Sequence, residues 1–306
     1  MMRMLPGRRL KTARLRRLVV GLTVLGVVMA VVVPIVSAAT PVAPGATANG
    51  APGGGEAPAS RLKALVSDPT EALHDGVFRS TCAFSHTAMD DPIVKPGQPG
   101  ASHSHEFFGN RTTNAGSTYE TLLGQATSCL ISGDTAAYWV PSLLQNGVRV
   151  APRVLKAYYR SAGPLGGVSP FPAGLKVVAG NSHATSAQSL SVTGWQCAGP
   201  TPGPASTVPV ACPGADTILV VRFPNCWDGL NLDSADHASH LAYGLNGRCP
   251  ATHPVRLPML AMQIHYRLTS TAGLAFASGS IYSAHADFFN AWDPAVLAAL
   301  VAANLN

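Results

Sequence analysis

The chain has 306 residues, with 21 Lys+Arg against 15 Asp+Glu and a formal charge of +6. Seven of those 21 cations lie in the first 17 positions, so residues 40–306 hold 14 cations against 15 acids, a net charge of −1. A near-neutral body gives no indication of a nucleic-acid binder, and six cysteines with no CxxC spacing argue against a zinc ribbon.

In chain order, residues 1–39 read as a signal peptide or signal anchor. A basic start is followed by an apolar run from Leu18 to Val36 and by the small residues Ser37-Ala38-Ala39, which suit a signal peptidase. The run is also about as long as the ~20 residues that span a bilayer. Either outcome puts the rest of the chain outside the cytoplasm, secreted or anchored on the outer face of the cytoplasmic membrane, with membrane contact only through this segment. Residues 40–60 are Pro, Gly, Ala and small polar residues with one charge, a flexible linker. Residues 61–306 read as a single extracellular domain, opened by a helical turn at Arg61 to Val66. Six cysteines in an exported chain suit three disulfides, and sequence-local pairing gives Cys82–Cys129, Cys197–Cys212 and Cys226–Cys249.

The body is mainly β. Ser102–Asn110, Ala136–Val140, Val148–Val150, Leu155–Tyr159, Leu175–Ala179, Ile218–Phe223 and Met259–Leu268 read as strands. Thr118–Ala126 reads as a short helix capped by Ser117. At the C-terminus Asp293 caps a helix that starts at Pro294 and runs apolar to Leu305. Short strands and frequent turns predict a β-sandwich or jelly-roll-like body with a few short helices and that C-terminal helix.

Histidines and carboxylates gather in four patches. The first is Asp90-Asp91 with His103, His105 and Glu106. On a strand, His103, His105 and Phe107 share one face while Ser104, Glu106 and Phe108 share the other. The second patch is Asp228, Asp233, Asp236, His237 and His240; the third is His253 with His265; the fourth is His285 with Asp287. As a metal site, His103 and His105 are joined by a distant His or carboxylate among His240, His253, His285 and Asp287, and the donor set suits zinc or another divalent transition metal. Without metal, His103, His105, Asp228, His285 and Asp287 supply acid and base groups for a hydrolase or lyase. Trp139, Trp227 and Trp292, with Asp233, are candidates for holding a glycan. Each residue also has a purely structural role open to it. His265 suits a satisfied core histidine, His183 and His86 suit turns, and the histidines around Ala238-Ser239 suit a loop that bonds backbone. No nucleophile elbow, phosphate loop or HExxH is present.

An ordered set of strings resembles one family. They are Asp91-Pro92-Ile93-Val94, Ser102-His103-Ser104-His105, Tyr138-Trp139-Val140-Pro141-Ser142-Leu143, Cys226-Trp227-Asp228-Gly229, Leu232-Asp233-Ser234, His253-Pro254-Val255 and His285-Ala286-Asp287-Phe288. The resemblance is to a domain-of-unknown-function family of secreted bacterial and fungal proteins, whose fungal members often carry a WSC carbohydrate-binding module. It covers roughly residues 78–304. It implies a cell-wall or extracellular setting and a glycan partner, and carries no settled activity. Where the family has a glycine before Trp292, this chain has Ala291, and no WSC module is present. The resulting expectation is a carbohydrate-active envelope protein with a His/Asp-rich cleft. The alternative is a non-catalytic wall-binding protein.

Overall fold

The structure, a computed structural model, describes residues 76–306 apart from 165, 201, 202 and 204. The leader, the linker and the helical turn at 61–66 lie outside the described residues. Strands dominate. In chain order they begin with β1 (Val77–Ala88) and β2 (His105–Gly109), followed by helix α1 (Tyr119–Leu122). Next come β3 (Ala137–Pro141), β4 (Leu143–Gln145), β5 (Val148–Arg149), β6 (Pro152–Arg160), β7 (Lys176–Gly180), β8 (Thr193–Cys197) and β9 (Thr217–Arg222). The chain continues with β10 (Cys226–Trp227), β11 (Leu241–Ala242), β12 (Val255–Arg256), β13 (Met259–Tyr266), β14 (Leu274–Phe276), β15 (His285–Phe289) and helix α2 (Pro294–Asn304).

Nine strands form one antiparallel sheet in the order β7-β15-β3-β2-β1-β6-β13-β9-β8. It curls until β7 approaches β9, so the sheet is nearly barrel-like. Two three-stranded sheets, β11-β10-β12 and β14-β4-β5, complete the β structure. The concave face holds the main core, including Phe78, Phe108, Tyr138, Tyr159, Trp195, Leu219, Met262 and Phe288. Alternation explains the two faces: on β1 every second residue from Phe78 to Cys82 is buried. That strand sits at the centre of the sheet, yet its outward Arg79 and Thr81 and its inward Ser80 blur the apolar pattern, so it escaped the sequence reading.

Helix α2 forms where Asp293 predicts it. The Asp293 carboxylate accepts from the Ala295 and Val296 amides, Pro294 occupies the first turn, and Val296, Leu297, Leu300 and Val301 are buried. The other predicted helix shrinks to the four residues of α1. It is capped by Thr118 in a capping box, not by Ser117. Gly124, at φ +72°, follows directly and ends any continuation.

The three cystines are Cys82–Cys129, Cys197–Cys212 and Cys226–Cys249, each joining cysteines adjacent in sequence. They point to an extracellular or secreted protein. No helix among the described residues is long and apolar enough to cross a membrane.

Candidate functional site

On the convex face, β2, β3, β15 and β7 present a second layer of side chains. Part of it is apolar: Phe107, Ala137, Trp139 and Phe289 pack with Ile93, Leu122 and Ala291. Beside this small core the layer turns polar. His105 on β2 is paired with Pro141 of β3, while Phe107 and Asp287 both pair with Trp139. Antiparallel register therefore puts His285, two residues before Asp287, level with Pro141 on the opposite flank from His105. The prolyl ring between them is short, so the two imidazoles meet above it. His103 arrives from the extended stretch leading into β2.

The three rings form a cluster. Ring centroids are 4.2 Å apart for His103 and His105, 5.0 Å for His103 and His285, and 5.8 Å for His105 and His285. Nε2 of His103 lies 3.2 Å from Nε2 of His285. The far nitrogens are anchored to backbone: His105 Nδ1 to the Asp90 carbonyl and His285 Nδ1 to the Ser283 carbonyl, both at 2.9 Å. A carbonyl only accepts, so both Nδ1 atoms carry hydrogen, and in the neutral ring each Nε2 then presents a lone pair. His105 Nε2 is buried without a partner.

Carboxyls adjoin the imidazoles. Asp91, His105 and Asp287 can bring one ligand atom each to within 4.8 Å of one another, as can His103, His105 and His285, so His105 is common to both triads. Asp91 is held by the Ile93 and Val94 amides through one oxygen. Both oxygens of Asp287 are buried with no partner.

The electrostatics follow from burial. It holds His105 well below the usual histidine range, helped by His103 and His285, and it pushes His285 down to about 4. His103 is lowered by burial and by His183. Burial and then Asp91 raise Asp287 well above the usual carboxylate range, and burial also raises Asp91. At neutral pH the lowered imidazoles are thus neutral, and beside them burial shifts Asp287 toward its protonated form.

These groups open into a cleft of about 330 Å³, lined by Asp91, Lys95, His103, His183, His285 and Asp287 among others. Asp91 belonged to the first patch of the sequence without being nominated for a role. Its position twelve residues before His103 was the available signal. His183 read as a turn, and its loop is one, closed by Asn181; nothing in the sequence placed that turn at the mouth of the cleft.

Other nominated residues fall elsewhere. Glu106 points to the concave side, as strand alternation predicts, where it pairs with Arg149 and accepts from Ser142 and Thr87. Asp228 shapes a turn by accepting from Leu230, Asn231 and the Asn231 amide side chain. Asp233 pairs with Lys176 and His237. His240 is saturated by Ser234 and the Lys176 carbonyl, and His253 by Thr252 and the Ser239 carbonyl, so neither belongs in a metal set with His103 and His105. His285 takes that place. Trp139 and Trp292 are 0 % and 1 % exposed, core residues that no glycan can reach, and Trp227 packs on the main core while donating to the Asn231 carbonyl.

The profile of a protein family described as "Domain of unknown function (DUF1996)" matches residues 91–292, a span that holds the whole histidine and carboxyl cluster. No curated protein and no solved structure matches the chain.

Proposed function

The chain belongs to the DUF1996 family, and we propose that it is an exported, carbohydrate-active protein of hydrolase or lyase type whose cleft is a divalent-metal centre of the zinc class. One observation carries the metal part. Three neutral imidazoles bring their nitrogens together, two of them 3.2 Å apart, and a third lone pair is buried with no hydrogen to accept. Two ligands about 2.0–2.1 Å from a tetrahedral ion stand roughly 3.3–3.4 Å apart, close to that spacing. Leaving such a lone pair unsatisfied costs on the order of 1–3 kcal/mol, a cost that a bound cation removes. The backbone carbonyls that fix both Nδ1 atoms do what outer partners of metal-bound histidines do.

His103, His105 and His285 hold the ion in this reading, which supplies Lewis-acid polarisation of a substrate or water oxygen when bound. Asp287, whose protonated form is favoured by burial and by Asp91 beside it, is placed to give a proton to a leaving oxygen. Lys95, His183 and Asn181 stand at the mouth, where a polar substrate enters. Support for a glycan comes from the extracellular setting, the polar cleft and the resemblance to proteins that carry carbohydrate-binding modules. The non-catalytic binding reading loses its main contacts, since Trp139 and Trp292 are buried. Residues 1–39 then either leave on export or keep the domain at the outer face of the membrane.

The test is elemental analysis of untagged protein, followed by a panel of wall and extracellular glycans. One equivalent of transition metal is expected, lost in His285→Ala, with turnover that Asp287→Asn abolishes while metal stays bound. Metal-free protein that takes up no zinc sinks the centre, and a panel without turnover sinks the enzymatic reading.

A further inference from the structure

Away from the cleft, the convex face of β1, β6, β13, β9 and β8 has an unusual charge pattern. These five strands contain Arg79, Arg153, Lys156, Arg160 and Arg222 and not one Asp or Glu. Arg153 is matched by Asp216, just before β9, at 2.8 Å. Lys156, Arg160 and Arg222 make no ion pair among the described residues. Register gathers them: Arg79 stands opposite Tyr158, Arg160 opposite Met259, Lys156 opposite Gln263 and Arg222 opposite Ala261. Lys156, Tyr158 and Arg160 follow one another on one face at roughly 6.6 Å intervals. Guanidinium carbons of Arg79 and Arg160 lie 6.0 and 5.1 Å from the centre of the Tyr158 ring.

This face is also indented. A cleft of about 230 Å³ is lined by Lys156, Tyr158, Arg160, Gln196, Gln263 and His265. His265 is 6 % exposed, its Nδ1 faces Asp216 at 3.4 Å, and its Nε2 is buried without a partner. Like charges gathered on neighbouring strands weaken a sheet unless something compensates them. Burial, and secondarily the charge of Arg160, lower Arg222 from its usual value. Asp216, the acid at this face, is already engaged by Arg153, His265 and Arg267.

We propose that this face is a binding site for an acidic polysaccharide, with uronate carboxylates seated between Lys156 and Arg160 and sugar hydroxyls on the Gln196 and Gln263 amides. Charge complementarity identifies the occupant: a row of cations along one strand matches a linear chain with regularly repeated carboxylates. The amides and the tyrosine ring suit the sugar between the charges. The site is independent of the histidine cleft and works whether or not that cleft holds a metal.

The probe is polygalacturonate, titrated into the full-length protein, with dextran as the neutral chain and phosphatidylglycerol vesicles as the other anionic surface. The expected result is binding to polygalacturonate but not to dextran, weakened about tenfold or more as salt rises from low to roughly 0.5 M. Lys156→Gln with Arg160→Gln reduces affinity about tenfold or more, whereas Lys156→Arg retains it. The Lys156→Arg control shows that a loss reports charge and not misfolding. Absence of polygalacturonate binding, equal binding to dextran, unchanged affinity in the double variant, or binding confined to the vesicles overturns the proposal.

Discussion

His285 shows how much a single position carries. Its Nδ1–H is tied to Ser283, its Nε2 meets His103, and burial lowers its pKa to about 4. Unfolded, the same imidazole titrates near 6.5. Between those values the unfolded chain binds the extra proton, so stability falls as pH falls. For chelator-treated protein, this one group is expected to remove up to about 3 kcal/mol between pH 6.5 and 4. Urea unfolding across that range is expected to show a shallower slope for His285→Gln than for the parent, and equal slopes would refute the assignment. Asp287 works in the opposite sense: its raised pKa means the folded state takes up a proton first, so its share of stability grows as pH drops. Gly180 at the end of β7 is equally constrained. It sits at φ +87°, and an added Cβ would meet the Ala284 carbonyl at 2.5 Å and His285 Cα at 2.9 Å. Gly180→Ala is expected to lose roughly 1–3 kcal/mol and to weaken zinc uptake, because backbone beside His285 has to move. Calorimetry and a zinc titration read both effects; uptake at parental affinity would count against this positioning.

Individual elements differ in how directly sequence dictates them. Helix α2 is local in origin, set by Asp293, Pro294 and an apolar run, and its cap is a separable contribution. Asp293→Ala is expected to lower stability by about 1 kcal/mol without changing metal content, measured by thermal unfolding and elemental analysis on one sample. The Cys82–Cys129 bridge acts across a longer range. It ties the central strand β1 to the segment before β3, and it closes 47 residues of chain. Replacing both cysteines by alanine is expected to destabilise by roughly 3–4 kcal/mol in chemical denaturation. A loss under 1 kcal/mol would mean that packing around β1 already fixes this connection. Strands with a strong β-branched or aromatic run, such as β3, β6, β9 and β13, stood out in the sequence for the same local reason. β1 did not, because a central strand is defined by its neighbours β2 and β6 more than by its own residues.

Across the whole described body, function-bearing groups are sorted by the two faces of one curled sheet. The concave face takes the apolar residues together with satisfied polar groups, notably Glu106 with Arg149 and Asp134 with Ser80 and Tyr138. The convex face carries the histidine and carboxyl cleft on β2 and β15 and the cations of β1, β6 and β9. The sequence by itself determined much of this. It showed a mainly β body, the capped C-terminal helix, cysteines in number and spacing for three local disulfides, and, through the period of two, that His103 and His105 share a face which Glu106 does not. Those features depend on residues close together in the chain. What only the tertiary structure decided is which distant groups complete the site. His285 joins His105 because β15 and β2 flank β3 in a register that puts both level with Pro141. His240 and His253 find backbone partners instead. Strands 180 residues apart in sequence are brought to the two flanks of β3 by the packing of the entire sheet, and the sequence left His285 one of four candidates beside His240, His253 and Asp287. For the same reason Ser102–Asn110 announces one side of the cleft in sequence, while its opposite side exists only once the sheet has closed.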